Sequence, residues 1–179
     1  MQITIEKALD TDKIDRFYDF YSAAFRPLKT LAAARHTLTP EEFAGEMRDE
    51  RIAKYIAWDA DAPVGLTTAT SDLSSVPWIE PVFYQVRYPE HAAQGTMFYL
   101  GYILVDPDAN TFRAFKAMTD TLFQHVAGMG GVIGFDVSAY NSTQAAGHFV
   151  DKLPEAFGAR LKVVDSQRYY VAEFGATDA

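Results

Sequence analysis

The chain has 179 residues, 49% of them hydrophobic, which predicts a single domain over residues 1–179 with a substantial core. Its 16 basic and 24 acidic residues give a net charge of −8, which argues against a nucleic-acid partner. Because the chain contains no cysteine, disulfides and thiolate sites are excluded.

Two further features bear on location and on metals. No apolar run approaches the ~18 residues of a membrane span, and the start "MQITIEKALD" lacks the basic-then-apolar pattern of a secretory signal. We therefore expect a cytoplasmic protein with no membrane partner. The four histidines show no metal-ligand spacing, so no metal is expected.

The first part of the chain predicts a strand, two helices and a hairpin. "ITIEKAL" alternates apolar and polar residues, and Asp10 or Thr11 can cap the one-sided helix "DKIDRFYDFYSAAF". Thr39-Pro40-Glu41-Glu42 is a capping box, so a second helix should follow to about Ala53. "KYIAWDADAPVGLTTATSD" predicts two strands joined by a polar turn.

The segment "LSSVPWIEPVFYQVRYPEHAAQG" interrupts this pattern with prolines and aromatic residues that follow no period. We interpret it as an ordered but irregular loop. Long aromatic loops of this kind in compact domains often serve binding.

The second half predicts alternating strands and helices. "TMFYLGYILV" is typical of a central strand, and "VIGFDVS" of the next one; we expect Leu100, Ile103 or Leu104, Phe135 and Val137 to be buried in them. The helix between them should place its apolar face on the sheet. That face consists of Phe115, Met118, Leu122, Phe123 and Val126.

Two elements remain. "NSTQAAGHFVDKL" predicts a helix capped by Asn141 or Ser142, and "RLKVVDSQRYYVAEF" one long strand or a final hairpin. The fold class is α/β (α+β), with a mixed, mostly antiparallel twisted sheet flanked by helices. The predicted order is β-α-α-β-β-β-α-β-α-β(-β), and the two central strands should splay to form a cleft.

This order and three local sequences resemble the GNAT superfamily of acyl-CoA-dependent N-acyltransferases. "YLGYILVDP" is similar to the family's central strand, which ends in valine-x-proline and meets the pantetheine arm. The helix beginning near Asn110 stands where the family binds pyrophosphate, and "FDVSAYN…HFVDKL" is similar to the strand, asparagine and helix that follow.

The phosphate junction departs from the family pattern, which reads R/Q-x-x-G-x-G/A after the proline. With Pro107 aligned, those positions hold Asn110, Thr111, Arg113 and Phe115. A helix N-terminus offers unpaired N–H groups without glycine, and Arg113 can pair with a phosphate. Asn110 can equally be a plain helix cap and Arg113 a solvated side chain. The resemblance implies these cofactor-binding residues: Leu104, Val105, Asn110, Thr111, Phe112, Arg113 and Asn141.

Three side chains are candidates for proton transfer. The resemblance implies an acid, often a tyrosine, on the helix after the second signature strand. Counting from Asn141 places His148 at that position, whereas aligning "HFVDKL" places Val150 there, and a lone helical histidine is more often structural. Tyr140 is an alternative acid, and otherwise a strand-end aromatic residue. Glu80 is the candidate base if the aromatic loop desolvates it, and otherwise a solvated carboxylate.

The aromatic loop is the candidate acceptor site. Trp78, Phe83, Tyr84 and Arg87 should form an apolar wall for an acceptor with an apolar or aromatic body and one charged end. Alternatively, these rings cover a sheet edge or form a homodimer contact.

The predicted function is transfer of an acyl group from acetyl-CoA or another acyl-CoA to an amine of a small molecule or peptide, without a metal. The alternative is a non-catalytic GNAT-fold binding or regulatory module that has lost acyl-CoA binding.

Overall fold

The structure is a computed structural model that describes residues 1–33, 37–143 and 157–173. In chain order its elements are β1 (Gln2–Glu6), α1 (Thr11–Phe25), α2 (Leu28–Leu31), α3 (Pro40–Arg48), β2 (Ala53–Asp59), β3 (Ala62–Thr70), α4 (Pro81–Arg87), α5 (Pro89–Gln94), β4 (Met97–Val105), α6 (Thr111–Gly128), β5 (Val132–Gly134) and α7 (Ala139–Ser142). None of the helices in these ranges is both long and apolar enough to cross a bilayer.

The described strands form one sheet in the order β1-β2-β3-β4-β5. Neighbouring strands are antiparallel except β4 and β5, which are parallel. In the hairpin of β2 and β3, Asp59 pairs with Ala62, close to the predicted turn. The predicted mixed, mostly antiparallel sheet is thus confirmed.

Helices cover both faces of the sheet. On one face α1 and α3 bury Phe17, Phe43 and Met47 against Leu66 of β3 and Leu104 of β4. On the other face α6 packs across the strands, and a further set of its side chains is buried: Ala114, Met118, Thr119, Leu122, Phe123 and Val126. The helical periodicity therefore predicted the apolar face of α6 correctly, although Phe115 is only half-buried.

A β-bulge interrupts the pairing of β3 with β4. Ile103 pairs with Thr67 and Leu100 with Ala69, so Gly101 and Tyr102 together oppose the single residue Thr68. A bulge inserts one residue and shifts the alternation of side chains by one position. Tyr99 and Tyr102 consequently both project toward the side of α1, α3 and α4, although a regular strand without a bulge would place them on opposite faces.

The predicted capping box fixes the start of α3, although α3 ends at Arg48 rather than near Ala53, where β2 already begins. The Thr39 side chain accepts a hydrogen bond from the Glu42 N–H (3.2 Å), and the Glu42 carboxylate accepts one from the Thr39 N–H (2.8 Å). We expect Thr39→Ala to lower the free energy of unfolding by about 1 kcal/mol, because the Glu42 N–H loses the hydroxyl that accepts its hydrogen bond. Urea denaturation measures this loss. Thr37→Ala, outside the helix, is the control, and an equal loss in both variants would contradict the capping role.

The aromatic loop was predicted incorrectly, because residues 81–94 form two short helices. Pro81 and Pro89 each occupy the first helical position, where the missing N–H costs nothing. Gly95, in the left-handed conformation with φ 67°, ends α5. The prolines that looked like interruptions in the sequence are therefore helix starts.

The last part of the chain also differs from the prediction. β5 ends at Gly134, so Phe135 lies beyond it, and Val137 is 39% exposed rather than buried. Ser138, not Asn141 or Ser142, caps α7, and the rest of that predicted helix lies outside the described residues. Residues 159–173 form no strand, since they pair with no described strand and their side chains are largely exposed.

Candidate functional site

The central strands separate part-way along their length. β5 pairs with β4 only through Met97, Phe98 and Tyr99. Beyond Tyr99, the rest of β4, residues 100–105, has no strand partner on that side within the described chain. A fork therefore opens between β4 and the chain that leaves β5, as predicted from the sequence.

A carboxylate and aromatic rings meet at this fork. Asp136, just after β5, accepts hydrogen bonds from the Tyr99 hydroxyl (2.7 Å) and the Trp78 indole N–H (3.3 Å). The Tyr99 ring lies edge-on to the rings of Trp78 and Tyr84, with centroids 6.5 and 5.9 Å apart. Two predicted acceptor residues, Trp78 and Tyr84, are thus brought together beside a carboxylate.

The junction after β4 leads directly into α6. The Asn110 side chain caps α6 by accepting a hydrogen bond from the Arg113 N–H (3.1 Å). The side chains of Thr111, Phe112 and Arg113 are exposed, and Phe112 keeps 58% of its surface accessible. Arg16 lies 3.5 Å from the Asp106 carboxylate and offsets its charge. The first turn of α6 is thus open to solvent but crowded by a large ring.

Comparison with solved structures identifies the fold. The chain superposes on the ribosomal-protein-S18-alanine N-acetyltransferase of Escherichia coli with a TM-score of 0.52, 17% identity and coverage of 88% of this chain and 77% of that one. It superposes on a probable acetyltransferase with a TM-score of 0.57 and 12% identity, and the match covers 98% of this chain and 100% of that one. For an aminoglycoside N-acetyltransferase in complex with CoA, the TM-score is 0.51 and the identity 12%, and the match covers 97% of this chain and 100% of that one. The protein has the GNAT fold.

The likeness is confined to structure. No protein-family model matches the sequence, and no curated protein matches it. The superpositions support the GNAT fold. At identities of 12–17%, the activity has to be argued from this chain's own residues.

Within the GNAT fold, the other two predicted acceptor residues lie together on α4. The Arg87 guanidinium stacks over the Phe83 ring, 3.6 Å from its centroid, and Phe83 contacts Tyr84 with centroids 5.2 Å apart. Arg87 is thus held against a ring and presents its charge at the outer side of the aromatic cluster. The binding roles of both residues stay predictions.

The residues predicted for proton transfer and for the cofactor amide lie on several elements. Glu80 is exposed and caps α4, accepting a hydrogen bond from the Val82 N–H (3.1 Å). Tyr140 lies on α7 and is 37% exposed, and the Asn141 N–H donates to the Ser138 hydroxyl (3.1 Å). His148 lies outside the described residues. The structure leaves these roles as predictions.

Glu46 of α3 is a further candidate that the sequence reasoning missed. It follows Phe43 by three residues and precedes Met47, so it flanks the buried face of the helix and is itself half-buried. Burial raises the pKa of Glu46 to about 7, while the Tyr102 hydroxyl and the Lys54 ammonium favour its charged form. A carboxyl with a pKa near neutrality is suited to accept a proton at physiological pH.

Lys54 is the cation whose charge acts on the Glu46 carboxyl, and backbone carbonyl groups hold its ammonium group in place. Its side chain is fully buried, and Nζ donates hydrogen bonds to the carbonyl oxygens of Lys7 and Asp49, both at 2.7 Å. Burial lowers the pKa of Lys54 to about 8, although nearby carboxylates oppose that shift. Lys54 thus ties β2 to two loops and contributes to the field at Glu46.

A small crevice connects Glu46 to the fork of the GNAT fold. Its volume is about 10 Å³, and its lining includes Glu46, Thr68, Tyr99, Gly101 and Trp78. The crevice lies at the β-bulge, so the Glu46 carboxyl and the aromatic rings of the fork face one space. Among the residues that the structure describes, no group of three or more side chains is arranged to hold a metal ion.

Proposed function

We propose that this protein is an N-acyltransferase that moves an acyl group from an acyl-CoA to an amine of a small molecule or peptide. The observation that carries the proposal is the position of Glu46. A carboxyl with a pKa raised to about 7 shares a crevice with the bulge of the central strand, where the sheet forks. Solved proteins of the same fold include acetyltransferases, one of them in complex with CoA.

The proposed reaction needs one base and a polarised carbonyl. The neutral amine nitrogen attacks the thioester carbonyl carbon, and Glu46 takes the proton that the nitrogen loses. Backbone N–H groups near Leu104 and Val105, at the end of β4, are the proposed donors to the developing oxyanion. The carbon–sulfur bond then breaks, and the CoA thiolate leaves and takes up a proton, for which Tyr140 is the candidate donor.

A second candidate function is a binding module without catalysis, and the α6 junction favours it. Asn110 already occupies the Arg113 N–H, and Phe112 stands in the first turn where glycine would give a phosphate close access. The crevice at Glu46 favours the enzyme, because a binding module does not need a carboxyl titrating near neutrality.

Titration with acetyl-CoA and longer acyl-CoAs in a calorimeter, followed by an assay for free thiol with a panel of amines, tests the proposal. We expect weak binding, with a Kd on the order of tens of micromolar, because the crowded junction forfeits at least one phosphate contact. Release of free thiol that depends on an amine supports the enzyme. Binding without thiol release, or no binding at all, overturns it and leaves the module.

Arg113→Ala tests the phosphate contact separately. We expect acyl-CoA to bind about tenfold more weakly to this variant, since a charge-assisted hydrogen bond is lost. The matched control is Lys116→Ala, one turn further along α6, because Lys116 already pairs with Asp120. Equal effects in the two variants would indicate general charge attraction and contradict a specific role for Arg113.

A further inference from the structure

A second cavity lies apart from the fork, between the end of α1 and the chain that enters α3. Its volume is about 340 Å³, which is within the range of small-molecule sites. Tyr18, Tyr21 and Phe25 of α1 contribute to its lining, as do residues 37–40. None of the described residues around it also lines the crevice at Glu46. The cavity is therefore separate from the site proposed for acyl transfer.

The aromatic part of this cavity is fixed by packing. Phe25 stacks on Tyr21, with ring centroids 4.4 Å apart, and Tyr18 packs edge-on against Phe43 with centroids 5.5 Å apart. The Tyr21 hydroxyl accepts a hydrogen bond from the Leu38 N–H (3.0 Å), which ties the entering chain to α1. A ligand that lies against these rings does not have to order them, so less of its binding free energy is lost. The rings thus offer a preformed surface to a flat apolar group.

Two cations line the same cavity without a carboxylate partner. Arg26 and Lys29 are exposed there, and in the described parts of the chain neither forms a salt bridge. Lys13, Arg51 and Lys116, by contrast, each pair with a carboxylate. None of the described lining residues is acidic, although the chain has 24 acidic residues against 16 basic ones. A negatively charged ligand would therefore meet positive charge and no repulsion from the lining.

We propose that the cavity between α1 and α3 is a ligand site for an aromatic anion. Its carboxylate or phosphate group lies beside Arg26 and Lys29, and its ring lies against Tyr18, Tyr21 and Phe25. The guanidinium and ammonium groups supply hydrogen-bond donors that suit both oxyanions. The rings supply an apolar contact that a small inorganic anion cannot use. The inference goes beyond acyl transfer, because binding here requires neither acyl-CoA nor an amine acceptor.

Titration with four small molecules tests the charge and the ring separately. Benzoate and phenyl phosphate carry both features, benzamide carries the ring without the charge, and acetate carries the charge without the ring. The affinity of each for the full chain is followed by NMR chemical shifts. We expect benzoate or phenyl phosphate to bind at least about tenfold more tightly than benzamide and acetate, and the tighter of the two identifies the preferred oxyanion. Affinities within about threefold across all four molecules overturn the inference.

The amide signals that shift show where the anion binds. We expect them in the second half of α1 and in residues 37–40, which surround the cavity. Shifts centred on the first turn of α6 would place the anion at that helix N-terminus, near Arg113, and would overturn the site between α1 and α3.

Variants of the two cations test their role in binding. Arg26→Gln and Lys29→Gln should each bind the preferred aromatic anion about tenfold more weakly and bind benzamide as the wild type does, because a charge is removed and the rings remain. The matched control is Arg48→Gln, since Arg48 is likewise an exposed cation at the end of a helix but does not line the cavity.

Thermal unfolding separates binding from stability in the same variants. Without ligand, all three variants should melt close to the wild type, as surface substitutions usually do. The aromatic anion should raise the melting temperature of the wild type and of Arg48→Gln, and should raise it less in Arg26→Gln and Lys29→Gln. Equal weakening of binding in all three variants would indicate general charge attraction and overturn the inference.

Discussion

Replacing Leu122 by alanine is expected to lower the free energy of unfolding by about 2–5 kcal/mol. Leu122 is fully buried in the centre of α6, in a cluster with Tyr55 and Phe98 of the sheet. Truncation removes apolar contacts and leaves a cavity that rigid strands cannot close. Chemical denaturation followed by circular dichroism gives the free energy and the slope that checks for an unchanged two-state transition.

The matched control is Gln124→Ala on the exposed side of the same helix. It should change the free energy of unfolding by less than about 0.5 kcal/mol, as surface substitutions usually do. A loss of that small size in Leu122→Ala would place α6 outside the core and contradict the packing described above.

Replacing Glu46 by glutamine is expected to reduce the rate of acyl transfer by about 10²–10⁴-fold, the usual contribution of a positioned base. Glutamine keeps the size of the side chain but cannot accept the proton of the amine. In the wild type, the rate should rise with pH through about 7, because only the ionised Glu46 is a base. That inflection should vanish in the variant.

The pH dependence of the free energy of unfolding gives a second measure of the Glu46 pKa. The folded-state pKa of Glu46 lies near 7, above its ordinary value of 4.5, so the folded protein binds more protons between these values. Wild-type stability should therefore fall as pH rises from about 4.5 through 7, and Glu46→Gln should lack this part of the decline. Glu50→Gln, an exposed neighbour, is the control. A Glu46→Gln variant that keeps its rate within about threefold would contradict the role of Glu46 and leave Glu80 as the candidate base.

Much of the sheet and its covering helices could be predicted because local chemistry and tertiary structure agree there. The Thr39 capping box and the apolar face around Leu122 each specify an element through short-range spacing, and both were correct. The helices α4 and α5 could not be assigned in the same way. Proline both ends and begins helices, and at Pro81 and Pro89 only the tertiary setting shows which of these applies.

The candidate site was less predictable, because its groups come from separate elements. Trp78 and Tyr84 were selected as aromatic residues in a proline-rich segment, but their partner Asp136 follows β5. Glu46 lies among other acidic residues on a short helix, and only its spacing from Phe43 marked it as buried.

The bulge at Gly101 and Tyr102 makes the length of β4 as important as its composition. The extra residue shifts the frame of the strand by one position, so that Tyr99 and Tyr102 face the same layer. Deleting Gly101 would restore strict alternation and exchange the inner and outer residues of one half of the strand. A gain or loss of one residue here would therefore be more damaging than most single substitutions.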